Sequence, residues 1–284
     1  MTPAWPQPTE NDQLRFLFQL GYFADQEWDV VRSFMFGSAV VKDAIDRYAD
    51  FHGVTGEEPS EHMLRPRCGM PDFARAPEAA SQSKWRMLDV TTAHRLSGLN
   101  PLSAEREHAL WLAADEAWNA VCGIRLKHID DMATANIYAN PGSTGAGVLA
   151  YSYLPNNSGP EDQMQQVYNR ATNWSERLLL QVLIHEKGHA IGLDHGPAGS
   201  LMQPTASGDI VSPQSWDIAQ AVSRYGKPGP KPPEPPSTGF AFTLNSRLSP
   251  GGYQLEPNAT AYDLDVATAI QPGRYRAVNE FEMG

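Results

Sequence analysis

The run His185-Glu186-Lys187-Gly188-His189-Ala190-Ile191-Gly192-Leu193-Asp194-His195 is where residue types and spacing most clearly imply chemistry. Histidines four apart stand one turn above the other on the same face of a helix, so both imidazoles reach a single metal ion. Gly192 can take the backbone conformation that ends the helix and swings the chain round, which brings His195 in as a third ligand. Three neutral imidazoles suit zinc and leave a fourth position for water. Glu186, beside the first ligand, is placed to take that water's proton and later to deliver it to a leaving amine, so the expected reaction is peptide-bond hydrolysis. Two histidines in a helix are often ordinary core or surface groups. The glycine and third histidine at this spacing argue against that here.

A second constellation lies upstream. Pro66-Arg67-Cys68-Gly69-Met70-Pro71-Asp72 presents a lone thiol flanked by residues that fix an extended loop. A thiolate is a strong zinc ligand. Cys68 in the fourth zinc position would exclude water and leave the enzyme latent, and Arg67 and Asp72 could pair to hold the loop. Cys122, the other cysteine, reads as a buried small hydrophobe rather than a partner for Cys68.

Elements must position these groups. Leu14, Phe16, Leu17, Leu20 and Phe23 form one apolar helical stripe, and Val40, Val41, Ala44, Ile45, Tyr48 and Phe51 form another that stops at Gly53, so a small helical domain is expected over about 11–62. Residues 74–83 are small and polar and read as a linker. Next come an expected strand over 85–92, a helix over about 103–121, and short strands over 124–129, 135–139 and 148–154. Asn173 with Glu176 three residues on resembles a capping box that opens the helix carrying the histidines. A last helix is expected over about 213–224. Six prolines between Gly226 and Gly239 make a stiff hinge, and residues 240–284 alternate weakly, as in a small β module.

Composition bounds the rest. The chain is acidic, with a net charge of -11 and no basic patch for nucleic acid, and no apolar run is long enough for a membrane span. Its 41% hydrophobic content supports a sizeable core. The start, Met1-Thr2-Pro3-Ala4-Trp5-Pro6, has neither the basic nor the apolar region of a signal peptide.

With both motifs in view, the chain resembles a matrixin, the matrix metalloproteinase family of metzincins, in its latent proenzyme form. Pro66 to Asp72 match the family's cysteine switch, with Met70 where valine is usual, and His185, Glu186, His189, Gly192 and His195 match its zinc motif. Met202, in Ser200-Leu201-Met202-Gln203-Pro204, matches the Met-turn methionine, on a connection about one residue shorter than usual. Phe51-His52-Gly53-Val54-Thr55-Gly56 resembles the end of the peptidoglycan-binding-like prodomain, and Trp216 to Gly226 the end of the catalytic domain. The resemblance implies an α/β (α+β) fold: a three-helix prodomain, then a twisted mixed sheet with long helices. It divides the chain into an inhibitory prodomain (1–72), an activation linker (73–84), a catalytic domain (85–226), a hinge (227–239) and a C-terminal extension (240–284) without assigned role.

The resemblance also implies a substrate cleft along an edge strand that contains Leu149, Ala150 and Tyr151. Leu183, Ile184 and Pro204 would shape an apolar pocket, favouring a hydrophobic residue just after the cleaved bond. Animal matrixins carry a structural zinc; here residues 139–147 hold no histidine or acid and Tyr151 stands at a ligand position, so one catalytic zinc alone is expected. His94, His108 and His128 form no ligand pattern in sequence. Asp130, Asp131, Glu161 and Asp162 offer oxygens for calcium. The expected partners are a protein or peptide substrate and an activating protease, with no nucleic acid, for a monomer that family resemblance places outside the cell. Two other readings are a cell-wall-directed peptidase that uses the N-terminal module for binding, and a binding protein on an inactive protease fold.

Overall fold

The computed structural model describes residues 8–23, 26–56, 58–73, 83–99, 101–145 and 147–229. All lie in the first of two units into which the chain divides, Met1–Pro230. Most of the activation linker, the hinge beyond Gly229 and the β-type extension lie outside the described residues.

The N-terminal region builds a core from aromatic side chains. Helix α1 (Glu10–Gln19) opens with a reciprocal cap between Thr9 and Asp12, and buries Leu14 and Leu17. Helix α3 (Ala39–His52) buries Val41, Ala44, Tyr48 and His52 along one stripe and ends at Gly53, whose φ of 61° is left-handed. Helices α2 (Trp28–Val31) and α4 (Pro59–His62) are single turns. Where the resemblance implies three helices there are four among the described residues, two of them too short to show a period. Tyr22, Phe23, Val31 and Met63 close the core, with Phe16 and Phe73 packed on it.

A six-stranded sheet carries the rest, in the order β1-β5-β6-β4-β2-β3. Its strands are β1 (Arg67–Cys68), β2 (Asp89–His94), β3 (Arg125–His128), β4 (Ile137–Gly142), β5 (Val148–Ser152) and β6 (Met164–Asn169). Strands β6, β4, β2 and β3 pair in parallel, β5 runs antiparallel to β6, and β1 pairs in parallel with β5. β1 is thus a two-residue piece of the N-terminal region laid on the edge of this sheet. The expected strand at Trp85 begins only at Asp89. Trp85 instead makes an isolated bridge with Ser158, and its indole donates to the Ala190 carbonyl at 2.8 Å.

Helix α5 (Ala104–Asn119), capped by Ser103, buries Leu110, Trp111, Ala114 and Trp118. It packs against α6 (Glu176–Ala190), the helix of the histidine motif. The N-cap of α6 is Ser175, whose hydroxyl accepts from Leu178 N at 3.2 Å, so Asn173 is not the cap. Glu176 then falls at the first helical position and pairs with Arg106 at 2.6 Å. From Gln181 to Ala190 every residue of α6 is buried. Helix α7 (Ser215–Tyr225) closes the unit. No helix among the described residues is long and apolar enough to cross a membrane.

Candidate metal centre

Helix geometry stacks His185 and His189, and their Nε2 atoms are 3.1 Å apart. Gly192 ends the motif helix with φ 95°, and a Cβ there would collide with the Ser83 carbonyl. Only glycine fits that turn, which brings His195 back to the pair. Beneath them a Cβ at Gly188 would overlap the Met202 sulfur, so this glycine lets the Met-turn press against α6. Asp217 fixes that turn by accepting from Leu201 N at 2.8 Å and Met202 N at 3.1 Å. In sequence Asp217 stands out only as part of the terminal resemblance, and nothing there signals its hold on the Met-turn.

Cys68 arrives from the other side on β1. Arg67 N donates to Gly147 O at 3.0 Å and Gly69 N to Ala150 O at 2.7 Å, both on the β5 side; on the opposite side Cys68 N donates to Pro204 O at 2.8 Å. The thiol Sγ lies 3.5 Å from His189 Nε2. One ligand atom from each of Cys68, His185, His189 and His195 falls within 4.8 Å of all the others, and among the described residues this is the group arranged to hold a metal.

The protonation pattern tests whether a cation fits. His185 Nδ1 contacts Leu201 O at 2.9 Å and His189 Nδ1 contacts Leu193 O at 2.7 Å. A carbonyl only accepts, so each Nδ1 carries the proton and each Nε2 turns a lone pair inward. Burial holds the imidazoles neutral: it pushes His185 down to about 3, His189 well below its ordinary value, and His195 down despite Asp72. His195 Nε2 is buried without a partner, as are both oxygens of Glu186. Facing lone pairs at 3.1 Å with no proton between them suit a cation, and three imidazoles with a sulfur are a zinc donor set.

Burial first, and then the Glu186 charge, raises the Cys68 thiol well above its ordinary value, and burial pushes Glu186 up to about 8. A dication among the ligands would reverse the first shift and leave a thiolate. Arg67 Nη2 donates to Asp72 Oδ1 at 2.5 Å, making the pair read from sequence, and that carboxylate also meets His195, His52 and Tyr22.

A narrow cavity beneath the thiol is lined by Leu149, Val182, His185, Glu186, Gln203 and Pro204. From α6 this cavity takes Val182 rather than the expected Leu183 and Ile184, and all three are buried in the main core. Ala150 is buried against Gly69, and Tyr151 is half-buried beside it. Asp131 and Asp162 spend carboxylate oxygens on Ala133 N and Gly159 N.

His94, His108 and His128 do come together, although the sequence shows no pattern. His94 Nε2 and His108 Nδ1 are 2.9 Å apart, and the cluster packs on Trp111. Their sequence positions, on β2, α5 and the end of β3, share no period that could announce it.

The pattern of the Matrixin family matches residues 103–226. The hatching enzyme of Paracentrotus lividus is 30% identical over 190 residues, 61% of this chain and 31% of its own length. Matrix metalloproteinase-18 of Xenopus laevis is 29% identical over 199 residues, 63% of this chain and 41% of its own. The neutrophil collagenase of Homo sapiens is 28% identical over 240 residues, 75% of this chain and 51% of its own. The chain thus spans about a third to a half of the length of these relatives. Taken with the inward-facing histidines and the buried Glu186 between them, the match identifies residues 103–226 as a zinc-endopeptidase domain of the matrixin family of metzincins, carried here with Cys68 set against its histidine triad.

Proposed function

We propose that the whole chain is a latent zinc endopeptidase whose N-terminal region, ending in Cys68, blocks the metal until the chain is cut between residues 73 and 84 and the region leaves. The supporting observation is the Cys68 thiol, held 3.5 Å from His189 Nε2 by backbone hydrogen bonds on both sides of its strand. The division into prodomain (1–72), catalytic domain (85–226), hinge (227–239) and extension (240–284) belongs to the same reading. A separate aromatic core for the N-terminal region supports it.

His185, His189 and His195 would hold zinc, which when bound polarises a carbonyl and makes water nucleophilic near neutral pH. Glu186 takes a proton from a water entering the space that the thiol leaves, and passes it to the amine of the departing peptide. Burial pushes the Glu186 carboxyl up to about 8, against the lowering effect of the Cys68 thiol, and this supports its reading as the group that takes the proton. An extended substrate adds to the β5 edge through the backbone groups that β1 now uses, notably the Ala150 carbonyl. Leu149, Val182 and Pro204 give the adjoining pocket an apolar wall, so a hydrophobic residue is favoured after the cleaved bond. A monomer outside the cell acting on proteins or peptides, with a second protease as activator, completes the proposal. Calcium is tested alongside by adding it to the assay, with Asp130, Asp131, Glu161 and Asp162 as the oxygen ligands on offer.

The test is hydrolysis of a quenched fluorescent peptide by the full-length chain and by a version beginning at Trp85, each with and without a zinc chelator. Chelator-sensitive cleavage by the shorter version alone is the expected result. Equal cleavage by both would remove the inhibitory role of residues 1–84, and zinc bound without cleavage by either would leave a binding protein.

A further inference from the structure

A ligand imidazole offers one ring nitrogen to a metal and must satisfy the other. For His185 and His189 that second nitrogen meets the backbone carbonyls of Leu201 and Leu193, both close in the chain. His195 differs. Its Nδ1 meets Asp72 Oδ1 at 2.9 Å, across 123 positions of sequence, and both side chains are fully buried.

Asp72 is not free to swing away. Oδ1 also accepts from Arg67 at 2.5 Å, while Oδ2 accepts from the Tyr22 hydroxyl at 3.0 Å and meets His52 Nε2 at 2.9 Å. Its own backbone N–H, with that of Phe73, is tied to Leu20 O at 3.1 Å. Three elements of the N-terminal region therefore converge on one carboxylate that points at a metal ligand.

We propose that Asp72 is a positioning residue for His195, so that the N-terminal region grips the metal site twice, by the Cys68 thiol on the metal side and by the Asp72 carboxylate behind the imidazole. A carboxylate on the far nitrogen fixes the ring and raises its basicity, which tightens the metal. Departure of residues 1–72 then removes a ligand and also frees His195 Nδ1, leaving a metal held less tightly and a better electron acceptor. The proposal rests on the zinc reading above.

The test uses the full-length chain with Cys68→Ser, so that the thiol contributes nothing, loaded with zinc and mixed with a chromophoric chelator. Adding Asp72→Asn should speed zinc release about tenfold or more. Adding Arg67→Gln instead, which keeps the carboxylate but removes one of its anchors, should speed release clearly less than Asp72→Asn. Equal rates in parent and Asp72→Asn chains overturn the proposal, and so do equally fast rates in the Arg67→Gln and Asp72→Asn chains, since loop anchoring would then explain both. A parent that takes up no zinc would instead end the zinc reading itself. Should Asp72→Asn fail to fold, nitrogen-15 histidine NMR of the unsubstituted zinc-loaded chain decides: a slowly exchanging His195 Nδ1–H supports the bond, and a rapidly exchanging one overturns it.

Discussion

The molecule holds two clusters of three histidines, and their rings are almost equally close. Ring centroids in the first, His185, His189 and His195, are 4.8, 4.9 and 5.4 Å apart; in the second, His94, His108 and His128, they are 4.8, 5.2 and 5.7 Å apart. Proximity does not separate them. What separates them is the far side of each ring: in the first cluster every Nδ1 is held by an acceptor, so every Nε2 faces inward. In the second, Nδ1 of His94 and of His128 is buried without a partner, and His94 spends Nε2 on His108. A cation is present nearby as well, since the Lys187 ammonium lies 3.2 Å from the Trp111 ring centroid, in a buried pair with Asp115. A metal site is built from its outer contacts inward.

The sharpest way to break this comparison is metal analysis of two full-length variants. His189→Ala should abolish stoichiometric zinc, whereas His108→Ala should leave it unchanged; a zinc deficit in the second would make its cluster a site too. Next in size, Glu186→Gln in the chain beginning at Trp85 should cut peptide hydrolysis by about 10²- to 10⁴-fold with zinc content preserved. Persistent full activity would remove Glu186 from the chemistry.

These expectations show what could be read without a structure. The spacing His185, His189, His195 is legible because a single helix and one glycine turn translate it directly into geometry. Cys68 is legible as a motif, yet the bond from Asp72 to His195 is not, because no periodicity links residues on separate elements. Strand β6 escapes for a related reason: Met164-Gln165-Gln166-Val167 does not alternate, and Gln166 is buried through bonds to Tyr168 and Ser152 rather than by apolarity. Ser175 wins the cap from Asn173 because its hydroxyl sits three residues before the Leu178 amide it must reach, a choice of two residues that composition cannot make.

Smaller effects sharpen the same contrast. Gly192→Ala should cost about 1–3 kcal/mol in urea unfolding, from the left-handed φ alone, with the Ser83 collision added. A neutral result would mean that the turn to His195 relaxes enough to admit a Cβ. In the second cluster, burial first, and then the His108, His128 and Lys187 charges, push His94 down to about 4 from 6.5. The unfolded chain takes up that proton near pH 6.5 and the folded chain only near 4, so stability is lost as pH falls through that window. Melting temperature should therefore decline between pH 6.5 and 4, less steeply in His94→Gln; identical slopes would exonerate His94.

The short strand β1 has a kinetic meaning too. Beside the Asp72 bond to His195, its grip on the cleft amounts to a few backbone hydrogen bonds and one sulfur. If the latent reading holds, the chain between residues 73 and 84 keeps this segment beside residues 85–226, and it would compete at an effective concentration of about millimolar. A cut there would weaken no contact; it would turn a contest won by proximity into one decided by dilution. The on-switch of this molecule would then be the volume into which residues 1–72 can escape, and a crowded compartment would delay it.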